Sequence, residues 1–387
     1  MPTNLRLSDI APTVIQSEIR AMSVECDRVG GINLAQGICD TPLPPIVGKA
    51  ATQAIQNGFN IYTRLDGFAT LRQAVADKLQ RWNHLTVDPE TQILVTSGAT
   101  GALYATALAL LNPGDEVILF EPFYGYHVST LLSQRINPVI VPLDEPDWTL
   151  DPEKLAAAIT PNTRAILINT PSNPAGKIFS RAELEAVAAL AEQHDLFVIT
   201  DEIYEYFVYN GAEHLSIATL PGMADRTITI SGLSKTFSIT GWRIGYLTAS
   251  PRWIAAIGYF HDLTYICAPA PLQMGAAAGL RQLADTGFYT ALASEHQHKR
   301  DQLCAALADA GLPPAIPKGA YYILADVSRI PGATAKEKAR ALLRETGVAA
   351  VAGSAFFRPG GGEHLLRLCF GKQAVDLDRA CELLLKL

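Results

Sequence analysis

The sequence predicts an α/β protein: a mainly parallel sheet covered by helices on both faces, with a smaller α/β domain attached. Three observations carry the prediction. Between Gln92 and Thr248 seven short, nearly continuous apolar runs alternate with longer stretches, most of helical period. Strands buried on both faces lose the in–out alternation of half-exposed ones, and parallel neighbours need crossovers long enough to hold a helix. At 387 residues the chain exceeds one simple core. With 49% hydrophobic and 18% charged residues it has the material for a large interior, which excludes a disordered chain.

Taken in order, Ser8 to Gly30 reads as an amphipathic helix stopped by the Gly30-Gly31 pair, and Ile32 to Gly37 as a short strand running into a turn-rich segment. Helical patterns follow at Ile46 to Asn57 and Phe68 to Trp82, joined by a polar loop that carries Tyr62. The seven strands are Gln92 to Thr96, Glu116 to Phe120, Pro138 to Val141, Ala165 to Asn169, Leu196 to Thr200, Thr227 to Ser231 and Ile244 to Thr248, with helices such as Gly101 to Leu111 and Arg181 to His194 between them. Beyond Arg252 the pattern turns helical, at Arg252 to Phe260, Pro271 to Leu283 and Phe288 to Ala310. A last α/β segment has strands near Tyr321 to Asp326 and Leu365 to Phe370 and helices at Ala335 to Glu345 and Ala374 to Leu385. The expected division is a large domain over 46–283 and a small one over 284–387, joined by the N-terminal segment 1–45.

A net charge of −7 without any basic stripe excludes nucleic acid as the main partner. Six scattered cysteines, with no CxxC pair and no histidine at zinc-ligand spacing, read as small buried hydrophobes in a reducing compartment, and no metal site is expected. His296 and His298 sit in a polar stretch and are expected to face solvent. Met1 to Arg20 mixes charges with short apolar pieces, so neither a signal peptide nor a membrane span is read there, and the cytoplasm is the expected location.

Ligands of open parallel sheets bind beyond the carboxyl ends of the strands, so the residues following each strand form an unbiased search set. Ser97-Gly98-Ala99-Thr100-Gly101 opens a helix with small residues, leaving backbone N–H groups at a positive helix end where a phosphate is welcome. The segment lacks both GxGxxG spacing and the GK[ST] ending of a P-loop. Asn173 lies in Thr170-Pro171-Ser172-Asn173-Pro174-Ala175-Gly176. Asp201 ends an apolar strand, so its carboxylate is expected to be partly buried and to need a cation or strong donor; Tyr204 follows three residues on. Lys235 stands among hydroxyls after the next strand, with Ser234 and Arg243 placed to add donors to the same phosphate. A lysine in such a segment is ordinarily a solvated charge, but one held in a dry pocket sheds its proton and attacks a carbonyl to form a Schiff base. A phosphate cradle, a buried carboxylate and such a lysine together answer the needs of pyridoxal phosphate.

At this point Ser234-Lys235-Thr236-Phe237-Ser238-Ile239-Thr240-Gly241-Trp242-Arg243 and Asn173-Pro174-Ala175-Gly176 resemble the lysine signature and the NPxG of the class I/II aminotransferases, the fold-type I pyridoxal-phosphate enzymes. The resemblance runs from Asn33 to Phe370 and implies that Lys235 carries the Schiff base and Asp201 pairs with the pyridine nitrogen. It further implies that Tyr204 and Asn173 bond the phenolic oxygen and that Gly98, Ala99, Thr100, Ser234 and Arg243 hold the phosphate. Tyr124 matches the aromatic stacked on the ring, and Tyr62 a tyrosine lent to the neighbouring subunit's phosphate, which implies a homodimer with shared sites. Arg367 matches the arginine that grips the substrate α-carboxylate, with Gly37 closing over it; without the family it would read as a surface residue. Many relatives continue that glycine with Pro-Asp-Phe, where this chain has Ile38-Cys39-Asp40-Thr41. The segments around Gln36-Gly37, Tyr321-Tyr322 and Arg367 look most like the kynurenine and glutamine transaminase branch. The implied reaction moves an amino group from an L-amino acid, neutral or aromatic, to a 2-oxo acid. A pyridoxal-phosphate lyase or oxidase on the same scaffold is the alternative, and a non-catalytic regulatory protein a remote one.

Overall fold

The computed structural model describes residues 5–14 and 17–387. Its strands, in chain order, are β1 (Ile32–Asn33), β2 (Ile93–Ser97), β3 (Glu116–Glu121), β4 (Asn137–Pro142), β5 (Thr163–Asn169), β6 (Phe197–Asp201), β7 (Thr227–Gly232) and β8 (Ile244–Thr248). They continue with β9 (Pro314–Ala315), β10 (Tyr322–Asp326), β11 (Val348–Ala349), β12 (Val351–Ala352) and β13 (Leu365–Cys369). Seven of them form one sheet in the order β2-β8-β7-β6-β5-β3-β4, parallel except for β8, which runs antiparallel to both neighbours. The seven expected strands are these seven, with ends displaced by no more than two residues.

The sheet is buried on both faces because each strand is apolar on both. In β5, Ala165 and Leu167 point into a core shared with the helices Gly98–Leu110 and Pro251–Tyr265. Ile166 and Ile168 point the other way, toward the helix Arg181–Gln193. Each such aliphatic side chain, fully buried, contributes about 1.5–3 kcal/mol. The Arg181–Gln193 helix starts on a capping box in which the Ser180 side chain accepts from Glu183 N–H and the Glu183 side chain accepts from Ser180 N–H.

A second sheet, β12-β13-β10-β9, is antiparallel, and β1 pairs in parallel with β11 beside it. Two short helices, Gly125–Ser133 and Pro152–Ala157, complete connections for which no helix is read from the sequence.

Three expectations fail. The helix read over Ser8 to Gly30 is instead a short 3-10 turn at Ala11–Thr13 and an α-helix confined to Glu18–Val29. Pro12 can neither donate within a helix nor tolerate the preceding turn, and Ser17 is extended; positions 15 and 16 of that expected helix lie outside the described residues. Of the strand expected over Ile32 to Gly37, only Ile32–Asn33 pairs, because the Asn33 side chain turns back to accept from the N–H groups of Ala35 and Gln36. His296 does not face solvent. It is wholly buried, its Nδ1 donating to the Leu292 carbonyl and its ring packed edge-on to Phe207. His298, two residues on, is exposed.

Candidate active site

Register explains why distant residues meet at one end of the large sheet. Asn169 and Asp201 are the last residues of β5 and β6 and stand in register. Because β8 is antiparallel, its first residue, Ile244, pairs with the last of β2, Ser97. Arg243 therefore lies beside the start of the Gly98–Leu110 helix, where a Cβ on Gly98 would collide with its guanidinium. Lys235 follows β7 by three residues.

These residues line a cavity of about 430 Å³ between the two sheets. Of the residues expected at the site, Gly37, Ala99, Thr100, Tyr124, Asn173, Asp201, Tyr204, Ser234, Lys235, Arg243 and Arg367 all line it. Gly98 stands directly behind, against Arg243. Tyr62 does not: it is 75% exposed on the surface of the single chain.

Lys235 Nζ donates to the Gly37 carbonyl at 3.1 Å, and burial pulls its ammonium from an ordinary 10.5 down to about 8. An amine so placed gives up its proton far more readily than a solvated lysine. Asp201 accepts from the Ile203 N–H at 3.2 Å, and its Oδ2 lies 2.9 Å from His127 Nε2. The Asn169 side chain donates to the Asp201 carbonyl (3.0 Å) and accepts from Asn173 N–H (2.8 Å), which ties two strand ends together. Tyr204 and Tyr322 share a hydroxyl–hydroxyl hydrogen bond of 2.8 Å.

Arg367 is the largest departure from a reading of the residues alone, which made it a surface residue. It is fully buried on β13, its guanidinium 4.4 Å from the Tyr322 ring centroid and 4.8 Å from that of Phe356. Nη1 donates to Asn173 Oδ1 (2.8 Å) and Nη2 to the Ala35 carbonyl (2.5 Å), while Nε has no partner. Among the described residues no carboxylate pairs with it. A buried guanidinium compensated only by neutral oxygens and two aromatic faces suits an anion, and its planar fork matches a carboxylate.

Behind the cavity floor lies a buried polar layer built on two glutamates. Glu205 is bonded by Lys78, by Asn83 Nδ2 (2.8 Å) and by Ser231 Oγ (2.8 Å), and Glu202 by Ser216 Oγ (2.8 Å) and His214 Nε2 (3.0 Å). Burial opposes the Glu205 charge, but Lys78, His214 and Asn83 together outweigh it and hold the carboxyl below the usual range. This layer anchors the turn from Asp201 to Tyr204.

Sequence reading missed His127 and Asn169. Tyr124 and His127 are three residues apart, one helical turn, so reading a helix start at Gly125 would have put them on one face. Asn169 ends β5 as Asp201 ends β6, and the rule that pointed to Asp201 applies to it equally.

The donor set fits pyridoxal phosphate. The helix Gly98–Leu110 begins without a side-chain cap, so its first N–H groups are free for a phosphate beside Arg243, which makes no ion pair among the described residues. Asp201 offers a carboxylate to a ring N–H⁺, and Lys235 an amine to a carbonyl.

A strand-end site of this kind, on a mainly parallel sheet with helices on both faces, defines a fold-type I pyridoxal-phosphate enzyme. Residues 29–384 match the model of the family described as aminotransferase class I and II. The chain is 38% identical over 386 residues to a probable N-succinyldiaminopimelate aminotransferase of Mycobacterium tuberculosis, covering 97% of this chain and 96% of that protein. It is 33% identical over 387 residues to human kynurenine–oxoglutarate transaminase 1, covering 92% of each. Its fold superposes with a TM-score of 0.94 on an Escherichia coli protein with a methionine aminotransferase function, at 32% identity and over 99% and 100% of the two chains. The chain belongs to the class I and II aminotransferases, and its cofactor is pyridoxal phosphate.

Proposed function

We propose that this aminotransferase takes the amino group of a neutral or aromatic L-amino acid, with Lys235 as its catalytic amine, and passes it to a 2-oxo acid. The observation that carries the reading is the pairing, across one cavity, of a half-buried lysine with its pKa brought to about 8 and a buried arginine lacking any carboxylate partner among the described residues. When bound, pyridoxal phosphate supplies an electron sink for charge left on the substrate carbon. Gly98, Ala99, Thr100, Ser234 and Arg243 would hold its phosphate, Asp201 its ring nitrogen, Tyr204 and Asn173 its phenolic oxygen, and Tyr124 its ring face.

Arg367 grips the α-carboxylate through both arms of its fork and orients the α-carbon. Lys235 Nζ takes the proton from that carbon and returns it to the acceptor atom, acting as base and then acid near its own pKa. His127 keeps the Asp201 carboxylate aimed into the cavity. Ile19, Leu103 and Tyr126 give the wall apolar surface for an uncharged substrate side chain, beside the polar Ser17, Arg20 and Gln36.

The exposure of Ile61 (81%) and Tyr62 (75%) supports a homodimer in which Tyr62 completes the neighbour's phosphate site. The domain division is 46–283 for the cofactor and 284–387 with 1–45 for the smaller unit. Among the described residues no helix is long and apolar enough to cross a membrane, and a cytoplasmic location accords with the unpaired cysteines.

The test is an anaerobic absorbance spectrum of the holoenzyme with single amino acids and no oxo acid. Loss of the yellow band with release of one oxo acid per site supports the reading and names the donor. Ammonia accumulating under a persistent band would identify a lyase, turnover only in air an oxidase, and full turnover by Lys235→Ala would remove the assigned amine.

A further inference from the structure

Tyr322 occupies a position that the transamination chemistry does not by itself require of a tyrosine. It opens β10 opposite Cys369 of β13, which makes Arg367 its diagonal neighbour on the same face of the sheet. Its ring lies against the Arg367 guanidinium at 4.4 Å, and a Cβ on Gly37 would overlap its phenol oxygen. The hydroxyl is thus pinned between Arg367, Gly37 and Tyr204, to whose hydroxyl it bonds at 2.8 Å.

We infer that Tyr322 is a positioning residue for Tyr204: its hydroxyl donates to the Tyr204 oxygen and so leaves the Tyr204 O–H directed into the cavity, toward the phenolic oxygen of pyridoxal phosphate. The inference rests on the reading that places Tyr204 at that oxygen. Two phenols joined by one hydrogen bond have two possible directions, and the more acidic phenol donates. Burial lifts both groups, Tyr322 to about 12, but the next influence differs in sign. Arg367 lowers Tyr322, whereas the neighbouring phenols, Tyr322 itself foremost, and then Asp201 raise Tyr204. The positive charge therefore polarises Tyr322 and makes it the donor.

A phenol has one proton to give. With an oxygen lone pair occupied by Tyr322, and no other hydrogen-bond partner for its hydroxyl among the described residues, Tyr204 keeps its proton for the cavity. Accepting a hydrogen bond also makes an O–H a stronger donor, by about 10–30% per bond in a chain. Tyr322 thus both aims and strengthens the Tyr204 donor, and a stronger donor to a phenolate oxygen lowers the pH at which the neighbouring cofactor proton is lost.

The test is the pH midpoint of the visible band in pyridoxal-phosphate-loaded protein, measured for Tyr322→Phe, Tyr204→Phe and the double variant. Phenylalanine keeps the ring on Arg367 and removes only the hydroxyl. The expected result is a midpoint raised by about half a pH unit in Tyr322→Phe, raised further in Tyr204→Phe, and no higher in the double variant than in Tyr204→Phe. An unchanged midpoint in Tyr322→Phe, or the same displacement with and without Tyr204, overturns the inference. An unchanged midpoint in Tyr204→Phe, with the band otherwise normal, overturns instead the placement of Tyr204 on which the inference stands.

Discussion

Lys235→Met should make the cofactor-free protein more stable at neutral pH while abolishing its activity. Burial takes the Lys235 pKa from 10.5 to about 8, which means that the fold holds this amine neutral by preference. Between those two values the unfolded chain binds a proton that the folded chain has released, so stability rises with pH across that window. Below pH 8 the folded protein bears the whole cost of a protonated amine held largely out of water, and the interval corresponds to about 3 kcal/mol. Methionine keeps a stem of similar length and removes the charge, at the loss of the 3.1 Å bond to the Gly37 carbonyl, worth about 1 kcal/mol. The expected net gain is about 2 kcal/mol at pH 7, shrinking to nothing at about pH 10 and reversing above it. Urea unfolding of the two cofactor-stripped proteins at equal concentration, followed by circular dichroism from pH 7 to 10.5, measures it. Other groups that titrate in this range are common to both proteins and cancel in the difference. A difference that does not change with pH, or a variant weaker at pH 7, would refute the reasoning.

Arg367→Lys replaces a fork with a point charge and forfeits one of two charged hydrogen bonds to the substrate carboxylate, about 1.5–3 kcal/mol. The kcat/KM for the amino donor should fall about tenfold to a hundredfold, read by steady-state kinetics, and a carboxylate-free amine should lose far less. In Gly245→Ala the new Cβ would stand 2.5 Å from the Gly98 carbonyl carbon and 2.6 Å from the Ala99 nitrogen. Both are backbone atoms, so the helix start must move. The affinity for pyridoxal phosphate, measured by fluorescence titration, should drop at least about tenfold while the far-ultraviolet spectrum stays unchanged.

The legible part of this protein was the part written locally. Apolar runs such as Leu196 to Thr200 specify buried strands, and a strand ends where the apolar run ends. The residue at that end, Asp201 or the lysine beyond β7, is then placed at the sheet's carboxyl edge by the topology rule alone. Arg367 shows where this reasoning stops. Nothing in His364-Leu365-Leu366-Arg367-Leu368-Cys369-Phe370 distinguishes a buried arginine from a solvated one, since the same strand pattern suits either. Only a likeness to known enzymes singled it out, and only the packing of the two sheets buries it against Tyr322 and Phe356.

His296 failed for the same reason. Its flanking polar residues describe one side of the helix Phe288–Asp309, while its own side faces Phe207 and Tyr321. The sequence by itself determined the α/β class, the seven-strand sheet and the chain positions of the amine, the carboxylate and the small-residue turn that meet at the cavity, because these depend on short-range periodicity and on strand ends. The tertiary structure alone decided which residues from separate segments face one another across the cavity: His127 with Asp201, Tyr322 with Tyr204, Arg367 with Asn173. Those pairs join residues 74 to 194 positions apart. Burial and charge compensation at such separations follow from how the sheets pack, which no local pattern encodes.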